Sequence, residues 1–499
     1  MRRYEADVAV AGGGPVGLMV ACELALSGMK VAVFERRVAR VEQSRALTLH
    51  PRSLEILALR GLVERFRERG HPIPVAHYAA LDTRLDLSAL DSSFRFTLFI
   101  PQALTEALLE ARALELGVDL HRGHLVTGVG EGDGAVEVEG TCGGDTFAVK
   151  ARALVGADGA RSAVRKLAGI PFPGTEATAS LMLGDVVLTE PPPSAPLSAL
   201  NTGGNLLLVP LGDGVHHRLV VVDPERLDVP LSEPVTLEEL SRATRKIVGT
   251  DFGMTRPFWL SRFGNETRQA ATYREGWVFL AGDAAHVHLP AGGQGLNVGL
   301  QDAMNLGWKL AGVLRGLAPA SLLDTYQEER HPVGARLLQD TLSQTALLLA
   351  FDPAGLALRA TLSRLLTTPE ANRMLAAQIS GCDVVYPDPV LPAPPGMEVA
   401  PGLTGRRLPR CGLRLEDGAE VSPFTLFREG RWVLLRRPGT HAPALPEPWA
   451  RWTSVVTATV DGGGEGLQGW SSILLRPDGR VGYVARDLRS ELVDPRDAP

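Results

Sequence analysis

An α/β (α+β) fold is predicted by three features of the sequence. Near the N-terminus a strand of buried type runs into a glycine turn, an apolar helix and a second strand. Past the middle a short apolar strand runs into an acidic turn, a second glycine-rich loop and a long helix. Elsewhere, short strand-type runs alternate with turn residues. Together they predict a Rossmann-like parallel sheet, a mixed-sheet second unit and a small β-rich C-terminal unit.

The first element is Asp7-Val8-Ala9-Val10-Ala11, apolar without alternation, as in a strand buried on both faces. Gly12-Gly13-Gly14-Pro15-Val16-Gly17 fits GxGxxG, Leu18 to Ser27 continues as an apolar helix, Gly28 closes it, and Lys30 to Glu35 is the second strand. In this pattern Gly12 makes the tight turn, Gly14 lets the backbone approach a pyrophosphate, and Gly17 permits close helix–strand packing. Glu35 ends the second strand, where a carboxylate binds a ribose 2′-hydroxyl. An acid there favours FAD or NAD over NADP. Arg36 and Arg37 follow it and read as solvated surface charges.

Arg45 lies in a loop before the helix predicted from Pro51 to Arg60, within reach of a phosphate or flavin edge or of a salt-bridge partner. Gln102 opens a helix predicted over Ala103 to Leu116, either facing a polar ligand or simply starting a surface helix. Residues 125 to 155 read as a β-meander. Ala153-Leu154-Val155-Gly156 is another buried strand, followed by Ala157-Asp158-Gly159 and by Ser162 and Arg165; Asp158 and Ser162 fit a ligand site or helix caps.

The second glycine element is Trp277-Val278-Phe279-Leu280-Ala281, then Gly282-Asp283-Ala284-Ala285-His286, then Pro290 through Gly293-Gln294-Gly295-Leu296-Asn297, then a helix predicted from Val298 to Leu314. Such a loop offers backbone N–H groups and the positive end of a helix dipole to an electron-rich ligand. Asp283 is placed to accept a hydrogen bond from a sugar hydroxyl.

Composition narrows the class. With 499 residues, 45% hydrophobic, the chain can bury two or three domain cores. A net charge of −6 gives no basic surface for nucleic acid. Cys22, Cys142, Cys382 and Cys411 show no CxxC or metal spacing. No long apolar span or signal-type segment interrupts the pattern, so a soluble cytoplasmic protein without a membrane partner is expected.

With its three elements in order, the chain resembles the class A flavoprotein monooxygenases of the para-hydroxybenzoate hydroxylase superfamily. The GxGxxG with Glu35 is the first motif, Gly156 to Arg165 resembles the family's DG motif, and Gly282 to Asn297 its GD motif. Ala303-Met304-Asn305-Leu306-Gly307-Trp308-Lys309-Leu310, with Ser44-Arg45-Ala46, is similar to the subgroup acting on aromatic polyketides and rifamycins. The resemblance implies FAD, with NADPH or NADH as transient reductant, O2, and hydroxylation of a large phenolic or quinone substrate through a flavin C4a-hydroperoxide. It further implies that Arg36, Arg45, Gln102 and Asp158 serve the cofactor site. Pro290, Gly293, Gly295, Leu296 and Asn297 would border the isoalloxazine, and Val126 would line the channel. No substrate base is nominated. Baeyer–Villiger insertion, epoxidation, ring rearrangement and antibiotic inactivation fit the same motifs; a non-enzymatic flavin-binding module and a plain NAD dehydrogenase are the rivals from other classes.

The domain division expected is 1–175 with 265–385 for FAD, and 176–264 as a mixed-sheet substrate domain. A Pro-rich linker would follow at 386–402, then a thioredoxin-like domain without CxxC at 403–499. A monomer or homodimer is expected. His216 and His217 are read as turn residues after Gly212-Asp213-Gly214.

Overall fold

The structure is a computed structural model describing residues 1–132, 134–387, 390–391, 398–399, 402–441, 443–462, 467 and 469–486. Asp388, Pro389, Pro392, Pro394, Pro395 and Pro401 of the expected linker, and residues 487–499 of the expected last domain, lie outside the described residues.

Five strands pair in parallel in the order Val278–Leu280, Ala153–Gly156, Val8–Ala11, Val31–Glu35 and Asp119–Arg122; Arg274–Glu275 joins one edge antiparallel. The first four are buried along their whole length, which explains their unbroken apolar runs. Helix Pro15–Leu26 packs between helices Gln102–Glu115 and Gln294–Leu314. A meander of His124–Gly132, Ala135–Cys142 and Asp145–Ala151 lies against the sheet, with Phe147 stacked on Phe34 at 5.2 Å. Helix Gln294–Leu314 begins at Gln294 rather than Val298. Its first turn buries Gln294 and Asn297 among polar partners, so hydrophobic periodicity does not mark its start.

Between the two glycine elements stands a five-stranded sheet ordered Leu197–Asn201, Gly204–Pro210, His216–Val222, Ser180–Leu188, Met254–Gly264. All its pairings are antiparallel, which corrects the expected mixed sheet. The reason is connectivity: tight turns join the strands between 197 and 222. Helix Leu237–Val248, capped by Thr236 and ended by left-handed Gly249, covers one face through Leu240, Ala243 and Ile247. His216 and His217 open a strand instead of lying in a turn, and His216 Nδ1 is 2.7 Å from the Asp213 carboxylate.

The C-terminal sheet is ordered Glu398–Val399, Val481–Arg486, Ser472–Leu475, Trp432–Arg436, Thr453–Gly462, Cys411–Leu415, Glu420–Val421, with Trp432–Arg436 and Thr453–Gly462 parallel. Among the described residues from 402 onward, the strands of this sheet are joined by segments that include the 3-10 turns Pro423–Phe427 and Trp449–Trp452. Trp308 of helix Gln294–Leu314 packs with Trp432, Trp449 and Trp452 of this unit. Among the described residues no helix is long and apolar enough to cross a membrane.

Candidate functional site

Three turns leave the C-terminal ends of three adjacent parallel strands: Gly12 after Val8–Ala11, Ala157 after Ala153–Gly156, and Gly282 after Val278–Leu280. The turns are stitched together, Ala157 N–H donating to Ala11 O at 2.8 Å and Ala281 N–H to Gly156 O at 3.0 Å. Motifs far apart in sequence thus share one crevice edge, where open α/β sheets bind ligands.

The glycines of the first turn divide by cause. Gly12 has φ +106°, and a Cβ there would lie 2.3 Å from Ala157 O; a Cβ on Gly17 would lie 2.0 Å from Gly12 O. Both are required by the chain's own packing. At Gly14 a Cβ meets nothing within 4 Å. It caps helix Pro15–Leu26 with no side-chain bond, and Pro15 follows at the first helical position, with Val16 behind it against Gly282. Open space beside uncapped N–H groups is what a phosphate needs. Glu35, 8% exposed, accepts from Gly13 N–H at 2.8 Å and Arg37 N–H at 2.9 Å, so it props the glycine turn; Arg36 beside it is exposed.

Asp158 Oδ2 accepts from Ala163 N–H at 2.6 Å and Val164 N–H at 3.2 Å, as a helix cap, while its Oδ1 is buried without a partner among the described residues. Ser162 caps the same helix through Arg165 N–H. Arg165 then donates to Ala284 O at 2.8 Å, tying this turn to the next.

In the third turn Asp283 is exposed and makes no hydrogen bond or ion pair among the described residues. Its neighbours are fixed by Asp302: one carboxylate oxygen accepts from Gly282 N–H at 3.1 Å and His286 Nε2 at 2.8 Å, the other from Arg330 Nε at 2.7 Å. Burial pushes the Asp302 carboxyl up, and Arg330 and His286 outweigh it, leaving it below the usual range and ionised. Pro290 is exposed at the loop's corner. Gly292 and Gly293 take φ +68° and +66°, and Gly293 caps helix Gln294–Leu314 without a side-chain bond. Gly295 and Leu296, half-buried, complete a second bare helix N-terminus.

Asn297 is used by the protein itself: its Oδ1 accepts from His50 N–H at 2.7 Å, and its Nδ2 donates to Thr48 O and Gly293 O. His50 also contacts Gly292 O at 2.9 Å, and burial pushes its imidazole down to about 4. Gln102 likewise clamps the Ser44–Ala46 segment, its Oε1 accepting from Ala46 N–H at 3.1 Å. Arg45 of that segment is exposed. Val126, 5% exposed, sits inside the main core.

The arrangement fits a flavin dinucleotide. Gly14 leaves room for a pyrophosphate, two uncapped helix N-termini offer positive charge, and Asp283 and the free Asp158 oxygen offer acceptors. Residues 5–341 match the FAD binding domain family, and residues 401–496 match the aromatic-ring hydroxylase C-terminal family. The chain belongs to the class A FAD-dependent aromatic monooxygenases. This monooxygenase is 47% identical over 485 residues to an uncharacterized aromatic compound monooxygenase of Bacillus subtilis, covering 97% of this chain and 95% of the relative. It is 40% identical over 492 residues to a rifampicin monooxygenase of Streptomyces venezuelae, covering 97% of each. The solved anhydrotetracycline hydroxylase from Streptomyces rimosus has a TM-score of 0.86 at 39% identity, covering 99% of this chain and 97% of that one.

Sequence reasoning about this monooxygenase missed Asp302, Arg330, His286 and His50. Asp302, Arg330 and His50 lie outside the three motifs and hold backbone, while His286, inside the third, bonds the Asp302 carboxylate rather than a ligand.

Proposed function

We propose that this monooxygenase hydroxylates a large fused-ring phenol or quinone of polyketide type, with NADPH or NADH as reductant and O2 as co-substrate. The observation that carries the reading is the free face of the five-stranded sheet. Strand alternation puts Leu183, Leu207, Val220, Trp259 and Phe263 on the face away from helix Leu237–Val248. Phe263, Leu181 and Val222 of that face pack with Leu289 and Ala291, so it looks onto the Pro290 loop. Its charge is concentrated in one closed pair, Arg218 with Asp185 at 2.8 Å. An apolar, aromatic wall of this kind suits a flat multi-ring substrate. The similarity to the anhydrotetracycline hydroxylase and the rifampicin monooxygenase supports the same substrate class.

In this reading residues 1–175 and 265–385 hold FAD and 176–264 wall the substrate. FAD, when bound, supplies hydride acceptance and oxygen activation. Gly14 and the N–H groups after it take the pyrophosphate, and Asp283 and Glu35 accept from sugar hydroxyls. The bare N-terminus at Gly293 to Asn297 favours negative charge on the isoalloxazine. Arg218 also donates to Arg45 O at 2.9 Å and to Ser44 O, locking the wall to the Arg45 segment so that water is excluded between them. Four unpaired cysteines agree with a reducing, cytoplasmic setting.

The test is anaerobic reduction of the purified holoenzyme by NADPH or NADH, then air with a panel of tetracyclic phenols, rifamycins and single-ring phenols. Oxygen incorporation, read by mass, is expected for a multi-ring compound. Peroxide release with every multi-ring compound, or turnover of single-ring phenols only, would overturn the substrate class.

A further inference from the structure

Among the contacts that seat the C-terminal sheet on the FAD-binding unit, two differ in chemistry. One is the tryptophan cluster of Trp308, Trp432, Trp449 and Trp452. The other is ionic and fully buried. The turn Arg476-Pro477-Asp478-Gly479, between Ser472–Leu475 and Val481–Arg486, brings Arg476, Asp478 and Arg480 inside at 1–2% exposure. Arg476 pairs with both oxygens of Glu329 at 2.7 and 2.8 Å and with Asp478 at 2.8 Å. Glu329 in turn takes Lys309 Nζ at 2.7 Å and Asn305 Nδ2 at 2.6 Å, both from helix Gln294–Leu314.

The next residue along helix Asp324–Leu348 is Arg330, fully buried, which holds Asp302 and donates to Val298 O at 3.2 Å and to the Tyr386 hydroxyl at 3.3 Å. The guanidinium of Arg480 stacks 3.9 Å from the Tyr386 ring centre, and that of Arg476 lies 5.1 Å away. A continuous chain therefore runs from the C-terminal turn through Tyr386, Arg330 and Asp302 to the Gly282 backbone.

Burying so many charges merely to attach a domain is poor economy, since apolar residues of similar volume do so as well or better, and the tryptophans already provide that attachment. What directional, charge-assisted bonds add is fixed geometry. We propose that the C-terminal unit is a positioning device for the FAD loop, with Tyr386, Arg476 and Arg480 setting, through Arg330, where Asp302 holds the Gly282–Asp283 backbone. The inference rests on FAD being held by that loop.

The test compares four variants of the full-length holoenzyme for FAD dissociation constant, flavin absorption band shape and melting temperature. Tyr386→Phe removes only the hydroxyl that accepts from Arg330. It is expected to raise the FAD dissociation constant by up to about five-fold, the worth of one hydrogen bond, and to alter the flavin band shape. Arg480→Lys keeps the charge but loses the planar stacking on Tyr386, and the same direction is expected even if Tyr386→Phe folds poorly. Trp452→Phe loosens the tryptophan seam without touching the chain of bonds; it is expected to lower the melting temperature and leave FAD affinity unchanged. Asp283→Ala tests the premise: undiminished FAD affinity there would remove the loop from the cofactor site altogether. If Asp283→Ala loses FAD while Tyr386→Phe and Arg480→Lys bind it as the parent does, the positioning role is refuted. It is equally refuted if Trp452→Phe weakens FAD as much as they do.

Discussion

Gly14→Ala separates what the chain requires from what its ligand requires. Gly14 has φ −79° and ψ −179°, a region open to any residue, and its Cβ would touch nothing within 4 Å. In the apoprotein, the stabilisation of about 0.4–1 kcal/mol expected from restricting the unfolded chain is offset by alanine's weakness as a helix N-cap. Apoprotein stability is therefore expected to stay near that of the parent. A pyrophosphate resting against that open space meets the new methyl group. Losing one charge-assisted N–H bond, at about 1.5–3 kcal/mol, weakens FAD binding about ten- to hundredfold. Gly17→Ala is the contrast, because its Cβ would lie 2.0 Å from Gly12 O. Overpacking of that kind costs about 1–3 kcal/mol or more, so the apoprotein itself should melt earlier. Calorimetry of both apoproteins and FAD fluorescence titration decide the matter. Normal FAD affinity in Gly14→Ala, or an apoprotein as destabilised as Gly17→Ala, would refute the placement of the pyrophosphate.

Asp283→Ala should release FAD on gel filtration while changing apoprotein stability by less than about 0.5 kcal/mol, as expected for an exposed side chain without partners; retained flavin would contradict the role. Asp302→Asn leaves buried Arg330 without its counter-charge, at a cost of about 3–5 kcal/mol, and an unchanged melting temperature would show that the ion pair contributes nothing. His50 is held neutral by burial, its folded value pushed down to about 4. Its stabilising contribution is present above the unfolded value of about 6.5 and lost as pH falls towards about 4, amounting to about 3 kcal/mol. Between about pH 7 and about pH 5, urea unfolding should show about 2 kcal/mol less loss in His50→Gln than in the parent, the remaining acid sensitivity falling to His77 and His288, which burial also pushes down to about 4; equal losses would assign the His50 share elsewhere.

The parallel sheet and its turns were legible because each signal was local. Buried strands such as Val8–Ala11 and Ala153–Gly156 are short apolar runs that lead straight into glycine turns. Strand Met254–Gly264 was not legible: it is half-exposed along most of its length and lacks a clean alternation. Several ligand assignments were incomplete for a similar reason. Glu35, Gln102 and Asn297 occupy positions suited to a cofactor, yet in the folded chain they bond Gly13, Ala46, and His50 with Thr48. Spacing shows which residues can reach a ligand, but not which backbone groups reach them first.

The buried ionic chain did leave a trace in the sequence, one whose meaning depends on a distant segment. Asp302, Asn305 and Lys309 recur at i, i+3 and i+7 along a helix otherwise rich in leucine, alanine and glycine, forming one polar stripe. Such a stripe ordinarily faces water. Here the partners that keep it dry are Glu329 and Arg330, adjacent in sequence but of opposite charge, one turned to Lys309 and Arg476, the other to Asp302 and Tyr386. Because neighbouring helix residues point about 100° apart, that pair can address the flavin-side end and the C-terminal seam at once. A single substitution in the stripe is therefore expected to act at both places, which an exposed polar face would not do.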